Sequence, residues 1–158
     1  KSDDPLKESF RFVLPGYNLR PLEMSGAIGL EQLKKLPGMI CQRRINANKF
    51  VKLLSSNNKI IIQKEIGKSS WFGFSLIVRP DNLLTRDSLY CKLRDAGFEC
   101  RPIVAGNFVK SEVINYMDYS IHGDLKNAQT IDQCGLFVGN HHYPIDDAIE
   151  NIYNIINF

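Results

Sequence analysis

The stretch from Leu14 to Leu33 constrains this chain more than any other, because it runs a polar loop into a helix thinned by small residues. Tyr17, Asn18 and Arg20 place polar groups just before Pro21. Proline suits the first turn of a helix, since its φ is already helical and its missing N–H would be unpaired there anyway. Ser25, Gly26, Ala27 and Gly29 then flatten one side of the helix. Each interior glycine costs on the order of 1 kcal/mol against alanine. Two such costs in one helix imply a surface to which another backbone comes close.

At 158 residues, 44% of them hydrophobic, the chain is long enough to bury a real core and reads as one folded unit. A net charge of +3 is mild, and no Lys/Arg run is long enough to argue for nucleic-acid binding. The Arg43–Arg44 pair reads as a solvated helix face. No apolar run approaches the ~20 residues of a membrane span. Cys41, Cys91, Cys100 and Cys134 form no C-x-x-C pair, and His122, His141 and His142 complete no zinc spacing, so no metal site is expected. Scattered cysteines of this kind read as reduced, mostly buried thiols of a cytoplasmic protein. The chain begins with Lys1 and a polar stretch, which reads as part of something longer.

Along the chain, residues 10–14 read as a short strand and the helix above ends at Leu36, where Pro37-Gly38 breaks it. A second helix follows to about Ser55, with Ile40, Ala47, Phe50, Val51 and Leu54 at helical spacing. Strands are predicted over 59–63 and 71–79, the latter alternating Phe72, Phe74, Leu76 and Val78 on one face. A helix over 86–96 starts from Thr85 as cap, buries Leu89, Leu93 and Ala96, and stops at Gly97. A strand over 98–104, a short helix near 111–116, a helix over 124–132 and a strand over 135–138 follow. The last helix, 145–156, carries Ile145, Ile149, Ile152 and Ile156 as its stripe. The expected class is α/β of the two-layer α+β kind: a small three- or four-stranded sheet with helices on one face, preceded by interdomain helices.

No catalytic set is complete in these residues. Asn18 and Arg20 sit where a helix N-terminus could help bind an anion, or where Asn18 supports the turn and Arg20 is solvated. Arg101 ends a strand before an irregular loop; its planar fork suits a carboxylate or phosphate, and a surface salt bridge fits equally well. Asn140-His141-His142 follows a strand, a common place for functional loops. Trp71-Phe72 reads as core, and Cys100 as a buried thiol.

Gly16-Tyr17-Asn18-Leu19-Arg20, Glu23, Ala27-Ile28-Gly29 and Gln32-Leu33 resemble the signature of the sugar aminotransferases of the DegT/DnrJ/EryC1/StrS family. Glu99-Cys100-Arg101-Pro102 continues the likeness, and Arg101 to Phe108 with Phe137 to His141 looks like the branch of deoxysugar 3-dehydratases. The resemblance implies a fold-type I enzyme using pyridoxal 5'-phosphate and pyridoxamine 5'-phosphate. It places residues 1–36 at the end of the large domain and in the interdomain helix, and 37–158 in the C-terminal small domain.

It further implies a homodimer in which Asn18 reaches the cofactor phosphate of the neighbouring subunit, with Arg20 as a second cofactor-binding residue. Phe10, Arg101, Asn140 and His141 become substrate-binding residues, Arg101 for the carboxylate of the donor glutamate. The implied reaction removes the C3 hydroxyl of a nucleotide-linked 4-keto-6-deoxy sugar in deoxysugar and O-antigen synthesis. A lysine or a histidine at the cofactor separates aminotransferase from dehydratase, and that residue lies upstream of this chain, as would the iron–sulfur cluster of some dehydratases. A sugar aminotransferase is the alternative of the same class. A small-molecule-binding regulatory domain, using the same sheet without the cofactor, is the alternative of another class.

Overall fold

A computed structural model describes residues 5–8, 11–16, 22–80 and 83–158. The element order is α1 (Pro5–Glu8), α2 (Glu23–Leu54), β1 (Ile60–Ile62), β2 (Gly73–Val78), α3 (Arg86–Asp95), β3 (Cys100–Pro102), α4 (Lys126–Cys134), β4 (Gly135–Gly139) and α5 (Asp146–Asn157), with two short 3-10 turns over 108–116.

The four strands form one antiparallel sheet in the order β1-β2-β4-β3. Because β2 and β3 are both antiparallel to β4, they run parallel to each other with β4 between them. The β2–α3–β3 segment is thus a split β-α-β unit, and the two-layer α+β class holds. Alternation along each strand sorts the side chains. Phe74, Leu76 and Val78 of β2, Leu136 and Val138 of β4, and Cys100 of β3 enter the core. Against them pack Ala47, Phe50 and Leu54 of α2, Leu89 and Leu93 of α3, and Ile149, Ile152 and Ile156 of α5. Phe50 and Phe74 stack with centroids 4.1 Å apart and join helix layer to sheet.

Local signals explain several boundaries. Thr85 caps α3 through a capping box, its hydroxyl accepting from Ser88 N–H while Ser88 Oγ accepts from Thr85 N–H. The helix ends in a Schellman arrangement: Gly97 at φ +84 donates to Arg94 O and Phe98 N–H reaches back to Leu93 O, both at 2.9 Å. At the other end of the core, Lys59 Nζ donates to the carbonyls of Ile156 and Asn157 at 3.0 and 2.7 Å, placing a cation on the negative end of α5. The side-chain amide of Gln63 extends β1 by one rung, donating to Gly73 O at 2.8 Å and accepting from Ser75 N–H.

Four expectations fail for physical reasons. Pro37 does not break the helix; α2 runs unbroken through it. Proline removes one backbone bond there, to the carbonyl of Leu33, and the helix continues through it into its anchored C-terminal half, where Ala47, Phe50 and Leu54 are buried. Residues 11–13 form no strand; Phe12 O instead accepts from Val113 N–H at 3.0 Å and Ser111 Oγ at 3.0 Å. The second strand begins only at Gly73, because Trp71 adopts a left-handed φ of +52 that turns its indole inward and leaves Phe72 exposed. Ala96, at the C-cap of α3, is exposed.

Candidate functional site

Arg101 stands in the middle of β3, directly across from Phe137 of β4, which itself lies across from Ser75 of β2. These three define the sheet face opposite the helices. Gly73 shapes that face: a Cβ there would lie 2.2 Å from Phe137 Cζ, so the phenyl ring rests on bare backbone. Phe72 stacks on Phe137 at 5.7 Å, and the Arg43 guanidinium sits 5.9 Å from the Phe72 ring centroid, within cation–π range. Arg101 and Arg43 therefore flank a row of two aromatic rings on one open surface. Arg43 and Arg44 are half-buried rather than solvated; Arg44 holds the 68–69 turn through Ser69 O at 2.8 Å and Lys68 O at 3.1 Å.

Arg101 is half-exposed and paired with Glu99 two residues earlier. One carboxylate oxygen of Glu99 accepts from Nε at 3.1 Å and also from Nη2. Hydrogen bonding and charge from Arg101 hold the Glu99 carboxyl below the usual carboxylate range.

Asn140 closes the end of β4 and is almost completely buried, as is Asn46 of α2. Its amide nitrogen donates to Arg43 O and Trp71 O, both at 2.9 Å, and its amide oxygen accepts from Asn46 Nδ2 at 3.1 Å. Asn46 also reaches His141 O at 3.0 Å and Tyr143 O at 2.9 Å, while Gln42 donates to its oxygen at 3.0 Å. The side chain of Asn140 is thus used within the fold, and what it positions is the 140–143 loop. His141 is exposed on that loop and stacks on Tyr143 at 4.7 Å, with His142 edge-on to the same ring at 5.6 Å.

A half-open cavity of about 510 Å³ adjoins the end of β3, lined in part by Arg11, Arg86, Pro102, Lys110, Glu112 and Asp132. Its charges are internally matched. Arg11 grips Glu112 with bonds of 2.6 to 2.9 Å, Lys110 lies 3.4 Å from Asp132, and Arg86 donates to Asp132 O at 2.9 Å. Gly106, at φ +54, lets the loop after β3 pass over Asp132, since a Cβ would meet that carboxylate at 2.4 Å.

Of the residues singled out from sequence, Arg101, Asn140 and His141 are described, whereas Phe10, Tyr17, Asn18 and Arg20 lie outside the described residues. The structure does not gather Arg101 and His141 through any shared hydrogen bond; they border the sheet from β3 and from the end of β4. Sequence reasoning missed Asn46, a polar residue within the apolar stripe that includes Ala47 and Phe50, and that placement was its only signal. It also missed the Arg43–Phe72–Phe137 row, which depends on pairing across strands. The cysteines differ from expectation too: Cys100 is buried, but Cys41 and Cys91 are exposed. Among the described residues no cluster of histidine, cysteine and carboxylate side chains is placed to hold a metal, and no helix is long and apolar enough to cross a membrane.

The DegT/DnrJ/EryC1/StrS aminotransferase family matches residues 2–157. GDP-4-keto-6-deoxy-D-mannose 3-dehydratase of Yersinia pseudotuberculosis is 57% identical over 157 residues, and the enzyme of the same name from Escherichia coli O55:H7 is 52% identical. Each match covers 99% of this chain and 40% of the relative, so the chain spans well under half the length of these proteins. A crystal structure of GDP-4-keto-6-deoxymannose-3-dehydratase with a trapped PLP–glutamate geminal diamine superposes with a TM-score of 0.83 at 52% identity, over 99% of this chain and 41% of that one. Sugar aminotransferases such as that of Micromonospora echinospora share the fold at 20% identity and a TM-score of 0.68. Because the family model matches residues 2–157 of its 158, the chain belongs to the DegT/DnrJ/EryC1/StrS aminotransferase family.

Proposed function

We propose that this chain is the C-terminal part of a nucleotide-sugar 3-dehydratase dependent on pyridoxal and pyridoxamine phosphate. The substrate would be a GDP-linked 4-keto-6-deoxy sugar, glutamate the amino donor, and the setting deoxysugar synthesis for O-antigen in the cytoplasm. The observation that carries this reading is the 57% identity, over 157 residues, to a GDP-4-keto-6-deoxy-D-mannose 3-dehydratase. Residues 1–36 would belong to the large domain and the interdomain helix, and 37–158 to the small domain. The support for such a division is the uninterrupted exposure of residues 22–38, including Leu22, Met24, Ile28, Leu30 and Leu33, which a second body would cover.

The cofactor, when bound, supplies the electron sink, while the protein supplies binding and orientation. The described residues do not by themselves fit the whole cofactor. Lys49, Lys59 and Lys110 are engaged with Glu150, helix carbonyls and Asp132, and the residues proposed for the phosphate, Asn18 and Arg20, lie outside the described residues. We therefore assign this chain only the supporting roles. In that reading Asn18, with Arg20, serves the phosphate in the neighbouring subunit of a homodimer, and Phe10 lines the same pocket. Arg101 holds the donor carboxylate, and His141, on the loop fixed by Asn46 and Asn140, faces the sugar nucleotide. The chain alone would be inactive.

The test is an assay of the full-length protein with GDP-4-keto-6-deoxymannose and glutamate. A 3-dehydratase yields a sugar nucleotide lighter by one oxygen, with 2-oxoglutarate and ammonia released together. Recovery of an amino sugar without free ammonia would instead establish the aminotransferase. Absence of any reaction, with no bound cofactor, would point to a regulatory domain.

A further inference from the structure

We propose that Glu99 is a specificity-determining residue of the donor site: it occupies the Arg101 guanidinium until a donor carboxylate displaces it, and so sets how tightly that carboxylate binds. The inference rests on the reading that Arg101 holds the glutamate carboxylate. Its basis is geometric. Glu99 immediately precedes β3 and Arg101 lies within it, two residues on, where side chains of an extended chain share a side. The Glu99 oxygen takes both the Nε–H and an Nη2–H of Arg101. That is one of the two edges of the guanidinium that a carboxylate ligand can grip with two parallel bonds.

The pair is built to exchange. The Glu99 and Arg101 side chains are 70% and 54% exposed, so releasing one carboxylate for another moves no buried charge. The Glu99 carboxyl, held below its ordinary range by Arg101, stays ionised throughout the neutral range and remains a competent competitor. Its other electrostatic neighbour is Arg94, which gives Glu99 a second cation to face once displaced. Two consequences follow. Inorganic anions meet the same competition from Glu99 as the donor does, and donor affinity is lowered by the strength of an exposed ion pair.

An exposed pair of this kind is equivalent to a factor of about three in an equilibrium constant. In the full-length enzyme, Glu99→Gln keeps the length and one acceptor oxygen but removes the charge. It is expected to lower the KM for glutamate about threefold with kcat little changed, and to make sulfate a stronger inhibitor. The same shift should appear without turnover: glutarate, titrated into the full-length apoprotein by ligand-observed NMR, should bind about threefold tighter to Glu99→Gln. Arg101→Lys separates the two levels of the inference. If it raises the glutamate KM while Glu99→Gln leaves both KM and glutarate affinity unchanged or weakened, the role of Glu99 is overturned and that of Arg101 stands. If Arg101→Lys changes neither quantity, the carboxylate reading of Arg101 fails, and the role of Glu99 falls with it.

Discussion

The side-chain amide of Asn46, three-quarters of the way along α2, donates to Oδ1 of Asn140 at 3.1 Å across a separation of 94 residues, and both side chains are almost completely buried. Around this one bond, α2, the 71–72 segment and the 140–143 loop are tied together through Arg43 O, Trp71 O, His141 O and Tyr143 O. The bond to Trp71 O also holds a residue whose left-handed backbone, at φ +52, carries strain of about 1–3 kcal/mol.

Asn140→Ala should therefore destabilise the chain by about 2 kcal/mol, since it takes the amide partner from the Trp71 carbonyl, a loss of ~1–3 kcal/mol, while Asn46 keeps His141 O and Tyr143 O. Asn46→Ala should cost a similar amount. The double variant should cost less than the sum, because each single change already breaks the shared bond. Urea denaturation of the four proteins measures this; additive losses would mean that the two amides act independently.

Gly73→Ala should destabilise by roughly 1–3 kcal/mol through overpacking. The new methyl would lie 2.2 Å from Phe137 Cζ and 2.5 Å from Val138 O. Combining it with Phe137→Leu should recover part of the loss, because the ring can be removed but the carbonyl cannot. No recovery in the thermal midpoint of the double variant would locate the conflict in the backbone alone.

Burial pushes the Cys100 thiol up to about 11. Only the thiolate is alkylated, so at about pH 8 roughly one Cys100 in a thousand is reactive. Iodoacetamide followed by mass spectrometry should label the exposed Cys41 and Cys91 first, with Cys100 modified only on unfolding. The sign of the linkage follows from the raised value. The neutral thiol favours the fold below the ordinary thiol range, and this contribution is lost as pH rises from there toward 11. A Cys100→Ala variant should lose stability less steeply over that alkaline window.

For the proposed dimer, a full-length Asn18→Ala protein should regain activity when mixed with a variant disabled at its own Schiff-base or general-base position. One mixed-dimer site would then be intact. The amide is expected to contribute roughly 1.5–3 kcal/mol as a donor to a charged phosphate. Mixed dimers that form yet stay inactive would place Asn18 in the site of its own chain.

The parts of the fold that were legible in sequence are those decided within a few residues. Thr85 announces the start of α3 and Gly97 its end, and the Ile149–Ile152–Ile156 stripe announces α5, because capping and amphipathic spacing act over one helical turn. Pro37 misled because its effect depends on how firmly the rest of the helix is anchored by packing, a property of the surroundings. Phe72 misled because one left-handed residue, Trp71, shifts the point where alternation begins. At the candidate site, Arg101 could be picked out by its type, although the structure seats it in the middle of β3 rather than at the strand end expected. Its Glu99 partner, two residues away, was within reach of the same reasoning.

The amino-acid sequence by itself determined the caps of α3, the helix stripes, the segments of the four sheet strands and the family signature, since each is written in neighbouring residues. Tertiary structure alone decided which polar side chains are structural and which stay available. Asn140 and His141 are adjacent in the chain, yet Asn140 is sealed among carbonyls from α2 and the 71–72 segment while His141 faces solvent. The physical reason is that a buried amide must find partners wherever the fold supplies them, and here they come from residues 69 and 97 positions away.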